Sequence, residues 1–237
     1  MNTPQECYVA CLDIMGFSDY VRKTSSLDVL QYLKNIKTVC DVFRQITPNI
    51  NSMVFSDTIA IWTPITSNLN ENAKRHKDFL LNIGALQYQC MTAPNLKGRP
   101  LRGAITKGEF YFNDTENILF GKAWVEAANI EKSAVFAPRV VVQKDATLKE
   151  ASNSRTELLF LGGNGDVCVN YLNHVLDDKG KPLERSFLIL DHKKSVEDCM
   201  KNSVNSTKLY NYYKSVAEYH NWFCAGFGAL RQYKITL

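Results

Sequence analysis

One residue restricts what this chain can become more than any other: Asp13, set inside an apolar stretch. In CLDIMGFSDY (11–20) the run Tyr8 to Leu12 leads into it, and Ile14, Met15, Gly16 and Phe17 lead out. Residues 7–14 read as a β-strand, so the carboxylate sits at the end of a strand rich in core residues. A charge taken out of water without a partner costs several kcal/mol or takes up a proton. Either Asp13 caps the helix that follows Gly16, or something cationic lies against it.

A second aspartate repeats the pattern. NSMVFSDTIAIW (51–62) divides into two short strands around Ser56-Asp57, as a tight hairpin does. By itself a turn aspartate is ordinary, because Asp bonds its own backbone well in turns. Between the two aspartates, Leu27, Leu30, Leu33, Ile36, Cys40 and Phe43 recur at helical spacing over 27–46. After the hairpin come a polar loop (63–74) and a helix (75–91). A strand over 101–112 turns at Asn113-Asp114, and 118–121 forms a short strand. A helix over 122–136 and a strand over 138–143 follow. The order β-α-β-β-α-β-(β)-α-β predicts an α+β sandwich of ferredoxin-like type, two linked βαβ units with an antiparallel hairpin inside. If strand one lies beside the hairpin, Asp13 and Asp57 converge and repel, and a divalent cation relieves the repulsion. Mg²⁺ and Mn²⁺ take hard oxygen ligands of this kind, usually alongside substrate phosphates. The segment Ile14 to Ser18 runs from strand to helix, where backbone N–H groups of Gly16 and Phe17 suit a triphosphate tail.

The remainder narrows the class by exclusion. The polar segment 144–155 closes the core; ELLFLGGNGDVCVNYL (157–172) reads as a hairpin, its glycines serving a turn and not a phosphate loop. Residues 177–185 form an exposed loop, Ser195-x-x-Asp198 marks a helix start, and an aromatic helical stripe runs over 207–227. A net charge of +4 without a basic run does not suit duplex binding, so no nucleic-acid partner is expected. No signal-peptide layout or long apolar segment is present, so the expected location is the cytoplasm, with no membrane contact. Seven scattered cysteines and four histidines lack both a disulfide framework and zinc spacing; Cys7 and Cys11 share one strand face as small core residues.

Taken together, four motifs are familiar. CLDIMGF resembles the metal-binding strand of class III nucleotidyl cyclases, D-I-x-G-F. FSDTIAIW resembles their second metal motif, G-D-x-x-x-A, with Ser56 in the glycine position. LRGAITKGEF resembles their R-x-G-I-x-x-G strand, and FGKAWVEAANIEK their G-x-x-V-N-x-A-x-R-L-E helix, with Gly121, Ala127 and Glu131 in register. The resemblance covers roughly residues 7–143. It implies a cyclase catalytic core over 1–143 and a C-terminal hairpin-plus-helix extension over 144–237, packed on the core as part of the same domain. It also implies a nucleoside triphosphate substrate and a head-to-tail homodimer with active sites at the interface. Two divalent ions, Mn²⁺ or Mg²⁺, would be held by Asp13, Asp57 and the backbone carbonyl of Ile14.

The departures from the family pattern point further. The purine-reading lysine and its acidic partner fall on Met53 and Ile118, two side chains without the donors and acceptors that adenine needs. The asparagine and arginine that steady the ribose and transition state fall on Val125 and Asn129. In lacking them the chain resembles the free-standing pyrimidine cyclases of bacterial anti-phage Pycsar systems. That likeness implies conversion of UTP, or of CTP as the less favoured choice, to the 3′,5′-cyclic monophosphate and pyrophosphate. The product would activate a separate effector protein. Arg102 suits phosphate bidentately and is weighed against a surface ion pair. Lys122, at a helix start, is weighed against a solvated lysine. Phe55 is large enough to narrow a base pocket toward pyrimidines, and serves equally as a strand-core aromatic. Two other readings stand beside this one: a purine cyclase with unorthodox base readout, and a degenerate cyclase fold that binds nucleotide without turnover. Both retained aspartates speak against the last, and the loss of both purine-reading residues against the other.

Overall fold

The computed structural model describes residues 3–96, 98–113, 115–116, 118–133, 138–148, 154–162, 165–183 and 187–237. Its centre is the strand that contains Asp13. β1 (Gln5–Ile14) lies between β3 (Thr58–Pro64) and β4 (Leu101–Asn113), antiparallel to both. A strand in that position is covered on both faces, which is why its sequence is almost unbroken in apolar residues. Tyr8, Ala10, Leu12 and Ile14 point to one side, into the main core with α2 (Ser26–Ile46) and α3 (Leu69–Thr92). Cys7, Val9 and Cys11 point to the other and are buried on the side covered by α4 (Lys122–Ser133), as small core residues.

The hairpin forms as read: β2 (Asn51–Phe55) pairs β3 antiparallel, and Ser56 and Asp57 make the turn. The order β2-β3-β1-β4 is the ferredoxin-like arrangement of a βαββαβ unit. Beyond it β6 (Val140–Val142) runs parallel to β4, and the antiparallel pair β7 (Leu159–Leu161) and β8 (Val167–Val169) continues the sheet through β8. The short β5 (Ile118–Phe120) pairs the far end of β4. Gly121 then turns the chain into α4 with φ +146°; a Cβ there would strike the backbone of Glu109 and lie 2.7 Å from Phe110 Cα. Only glycine fits.

Two helices close the chain. α5 (Phe187–Asn202) and α6 (Thr207–Ala225) pack on α3, where Tyr88 and Met91 meet Ile189, Val196, Val216 and Phe223. The extension therefore holds two helices after its hairpin. Ser195-x-x-Asp198 does not start a helix: Ser195 lies inside α5, and its hydroxyl donates to the carbonyl of Met91, so a local capping pattern was outweighed by helix–helix packing.

Two further boundaries differ from the sequence reading. α3 begins at Leu69, inside the expected polar loop, because Asn68 Oδ1 accepts the Glu71 N–H (3.1 Å) and Glu71 pairs with Arg75 one turn on. A separate short helix, α1 (Phe17–Lys23), precedes α2, which Ser25 caps through the Asp28 N–H. α4 is described to Ser133; residues 134–136, Asp114 at the expected turn, Gly163, and 184–185 of the exposed loop lie outside the described residues. Among the described residues, no helix is long and apolar enough to cross a membrane.

Candidate active site

The strand register sets the site. Asp13 stands opposite Thr58 on β3 and opposite Arg102 on β4, and the N–H of Ile14 donates to the carbonyl of Asp57 at 2.9 Å. One backbone hydrogen bond thus ties the end of β1 to the hairpin tip and brings both aspartates to the same edge of the sheet. Ser56, beside Asp57, has φ +57°, the one positive φ at a non-glycine among the described residues. The motif that this stretch resembles has glycine at that position, for the reason the backbone now gives.

Asp13 does not cap α1. Gly16 occupies the cap position in the left-handed region (φ +73°) with no side-chain cap. The cation on Asp13 is Arg102, whose Nε–H donates to Asp13 Oδ2 at 2.9 Å. Glu131 of α4 brings Oε1 to 2.8 Å from the same nitrogen. That nitrogen carries one hydrogen, already given to Asp13, so the buried Glu131 oxygen has a charge contact without a hydrogen bond. Both terminal nitrogens of Arg102 make no hydrogen bond among the described residues.

The electrostatics are lopsided. Burial pushes the Asp13 carboxyl above its usual range, Arg102 pulls it back, and the nearby Asp57 charge pushes it up again. Glu131 is likewise raised by burial, lowered by Arg102, and raised by Asp13 and Asp57. At this strand end three carboxylates share Arg102, with Lys132 adding a weaker pull on Glu131. Two aspartates with hard oxygen donors at one strand end fit a divalent cation by charge and by ligand type. No cluster of three or more metal-ligating His, Cys, Asp or Glu groups occurs among the described residues, so any such ion would draw its further ligands from backbone, water or substrate.

A cleft of about 350 Å³ opens over this edge. Asp13, Asp57 and Arg102 line it together with the stretch Ile14 to Asp19, which includes Gly16 and Phe17. The first N–H bonded within α1 is that of Tyr20, to Gly16 O, so the N–H groups of Phe17 to Asp19 precede the helical ladder. Arg99 braces this turn: Nη1 donates to Gly16 O (3.2 Å) and the guanidinium stacks on Tyr20 at 4.1 Å.

The other expected residues lie elsewhere in the chain. Met53 packs against the cluster of Trp62 and Phe110 under α4, and Phe55 rests its ring 5.9 Å from Trp124. Lys122 is exposed at the first turn of α4. None of the three lines the cleft. Conversely, the sequence reading passed over Glu131 as a site residue, and also Arg22, Lys208, Leu209 and Tyr212, which line the cleft. Glu131 was visible as the end of a motif; the α6 residues carried no signal, because only packing brings that helix to the cleft.

Neither a family profile nor a curated protein matches the sequence. Among solved structures, the catalytic core of a rhodopsin-guanylyl cyclase with converted specificity, in complex with ATPαS, superposes with a TM-score of 0.51 at 15% identity, covering 71% of this chain and 97% of that one. The fold is that of a cyclase catalytic core. The monomeric guanylyl cyclase domain of the RhoGC fusion protein from Blastocladiella emersonii gives 0.49 at 16% identity, over 61% and 86% of the two chains. The guanylate cyclase domain of RhGC from Catenaria anguillulae in complex with GTP gives 0.48 at 16%, over 69% and 93%. These two fall below 0.5 and add nothing to the assignment.

Proposed function

We propose that the chain is a pyrimidine nucleotide cyclase that converts UTP, or CTP, to the 3′,5′-cyclic monophosphate and pyrophosphate. The observation that carries this reading is the cleft itself: on a cyclase fold, Asp13, Asp57 and Arg102 gather beside a glycine-capped turn. The product would serve as a second messenger in anti-phage defence, made in the cytoplasm and read by a separate effector. Two divalent ions, Mn²⁺ or Mg²⁺, would be held by Asp13, Asp57 and the Ile14 carbonyl; bound there, such ions lower the pKa of the ribose 3′-hydroxyl and offset the triphosphate charge.

The chain's own groups do the rest. The N–H groups of Phe17 to Asp19, ahead of the α1 ladder and at the cleft, would donate to a phosphate tail. The Nε contacts with Asp13 and Glu131 fix the guanidinium of Arg102 and leave its terminal nitrogens to donate to phosphate oxygens. The Ile14–Asp57 backbone bond keeps the two carboxylates in place without reorganisation. Base selection falls to Met53 and Ile118, which lack the donor and acceptor that adenine needs, and to Phe55, whose ring narrows the pocket toward pyrimidines. Since these and Lys122 lie away from the cleft of their own protomer, a homodimer that sets one copy's Phe55 face against the other's cleft completes the site. Exposed Phe55, Ile118, Phe120 and Val125 supply apolar surface for that contact.

The test incubates purified protein with each of the four NTPs and Mn²⁺ and identifies products by mass spectrometry. Cyclic UMP or cyclic CMP is expected from wild type, and none from Asp57→Ala at unchanged dimer mass. Cyclic AMP or GMP as the main product overturns the pyrimidine reading. No cyclic product from any NTP, even with phage extract added, overturns turnover itself and leaves a binding module.

A further inference from the structure

From the cleft we infer that Lys208, on the C-terminal helix α6, is a substrate-binding residue that grips the terminal phosphates of a nucleoside triphosphate; this rests on the nucleotide reading of the cleft given above. None of the four cyclase motifs reaches this helix, since they end by residue 143.

Three observations carry it. First, α6 is seated on the phosphate turn: a Cβ built at Gly16 would lie 3.4 Å from Leu209 Cδ2, and Lys208, Leu209 and Tyr212 all line the cleft. Lys208 therefore flanks the turn that the proposed function gives to phosphate. Second, the cations of the cleft differ in what they already hold. Arg102 is shared by Asp13 and Glu131, and Arg22 lies 3.8 Å from Asp19. Among the described residues Lys208 makes no ion pair; its ammonium lies 5.9 Å from the Tyr212 ring. It is the cleft cation with no carboxylate partner among the described residues. Third, its position opposes local stability. Lys208 is the second residue of α6, at the positive end of the helix dipole, and the first turn contains no acidic residue to offset it. A cation there is disfavoured relative to a neutral side chain. A polyphosphate in the cleft offsets that repulsion, because the anion attracts both the ammonium and the helix N-terminus.

The chemistry recognised is a chain of at least two adjoining phosphates and not the base or the sugar. Inorganic tripolyphosphate, with orthophosphate for comparison, is therefore the probe, titrated calorimetrically into the full chain with Mn²⁺ present. Wild type is expected to bind tripolyphosphate. Lys208→Gln should weaken it about tenfold or more, the scale of one charge-assisted contact, while Lys208→Arg stays within about threefold of wild type. Lys214→Gln, an exposed lysine of the same helix, should bind as wild type does. Equal binding by wild type and Lys208→Gln overturns the inference, as does equal weakening by Lys214→Gln or failure of wild type to bind tripolyphosphate. Thermal melts of each variant check that the fold is intact. The two readings fail separately. Cyclic nucleotide production with an unaffected Lys208→Gln removes the inference alone; tripolyphosphate binding that depends on Lys208, without any cyclic product, removes the cyclase alone.

Discussion

Asp13 finds its partner across the sheet. Its strand is apolar because it is central, and its charge is tolerated because the β1–β4 register sets Arg102 beside it. Glu131 joins the same nitrogen from α4, so the guanidinium is fixed from two elements. Neither pairing is written locally: Asp13 and Arg102 are 89 residues apart in the chain. The hairpin tip is different, since FSDTIAIW announced both turn and aspartate. Its one irregularity is energetic. Ser56 holds φ +57°, which costs an L-residue about 1–2 kcal/mol, whereas glycine pays only a larger unfolded-state entropy. Ser56→Gly should therefore stabilise the protein by about 0.5–1 kcal/mol, raising Tm by roughly 1–4 °C. A melt unchanged or lowered by this substitution would show that the serine side chain contributes something to offset the strain.

At the scale of elements, strand identities and their order were legible because core strands carry apolar runs bounded by turn residues. Helix starts were less so. α3 opens with a polar, exposed turn in which Leu69 is 83% exposed, so the apolar stripe begins well after the helix does. The signal was nevertheless present, as Asn68 followed by Glu71 at the third position. Asn68→Ala should cost about 1 kcal/mol in urea unfolding, while Asn68→Ser, which keeps an acceptor, should stay within a few tenths. Equal losses for the two would mean that the cap is not what starts this helix. The failure at Ser195 is the converse case: a start pattern lay within a helix whose true neighbours, on α3, are far away in sequence.

At the scale of the whole molecule, the four histidines act in one direction. Burial lowers His76, His174 and His192 below the ordinary imidazole value, and takes His220 down to about 4. His192 and His220 stack with their Nδ1 atoms 2.9 Å apart. The Tyr233 carbonyl accepts from His220 Nε2–H, which leaves His220 Nδ1 to accept from His192 Nδ1–H. His192 Nε2 then accepts from the Tyr171 hydroxyl, so the chain of bonds needs both rings neutral. Folded pKa values lie below unfolded ones, so the unfolded chain binds more protons. Stability from these groups is full above about pH 6.5 and falls as pH drops toward 4, by up to about 1.4 kcal/mol per pH unit for each histidine. The raised carboxyls of Asp13 and Glu131 act oppositely but are only two. Urea unfolding between pH 7.5 and about 4.5 should show a monotonic loss, lessened by His192→Phe with Tyr171→Phe. A flat profile between pH 6.5 and 5 would contradict neutral, buried histidines.

Sequence alone determined the ferredoxin-like order of elements, the hairpin at Ser56-Asp57 and the two aspartates, because hydrophobic period, turn chemistry and short motifs are local properties. Tertiary structure decided what those aspartates meet. Arg102 and Glu131 reach Asp13 through strand register and helix docking, and α6 reaches the cleft only because its apolar face is buried against α5 and the end of α3. Register and docking minimise exposed apolar area and unpaired charge over the whole chain at once, and no window of sequence contains that sum.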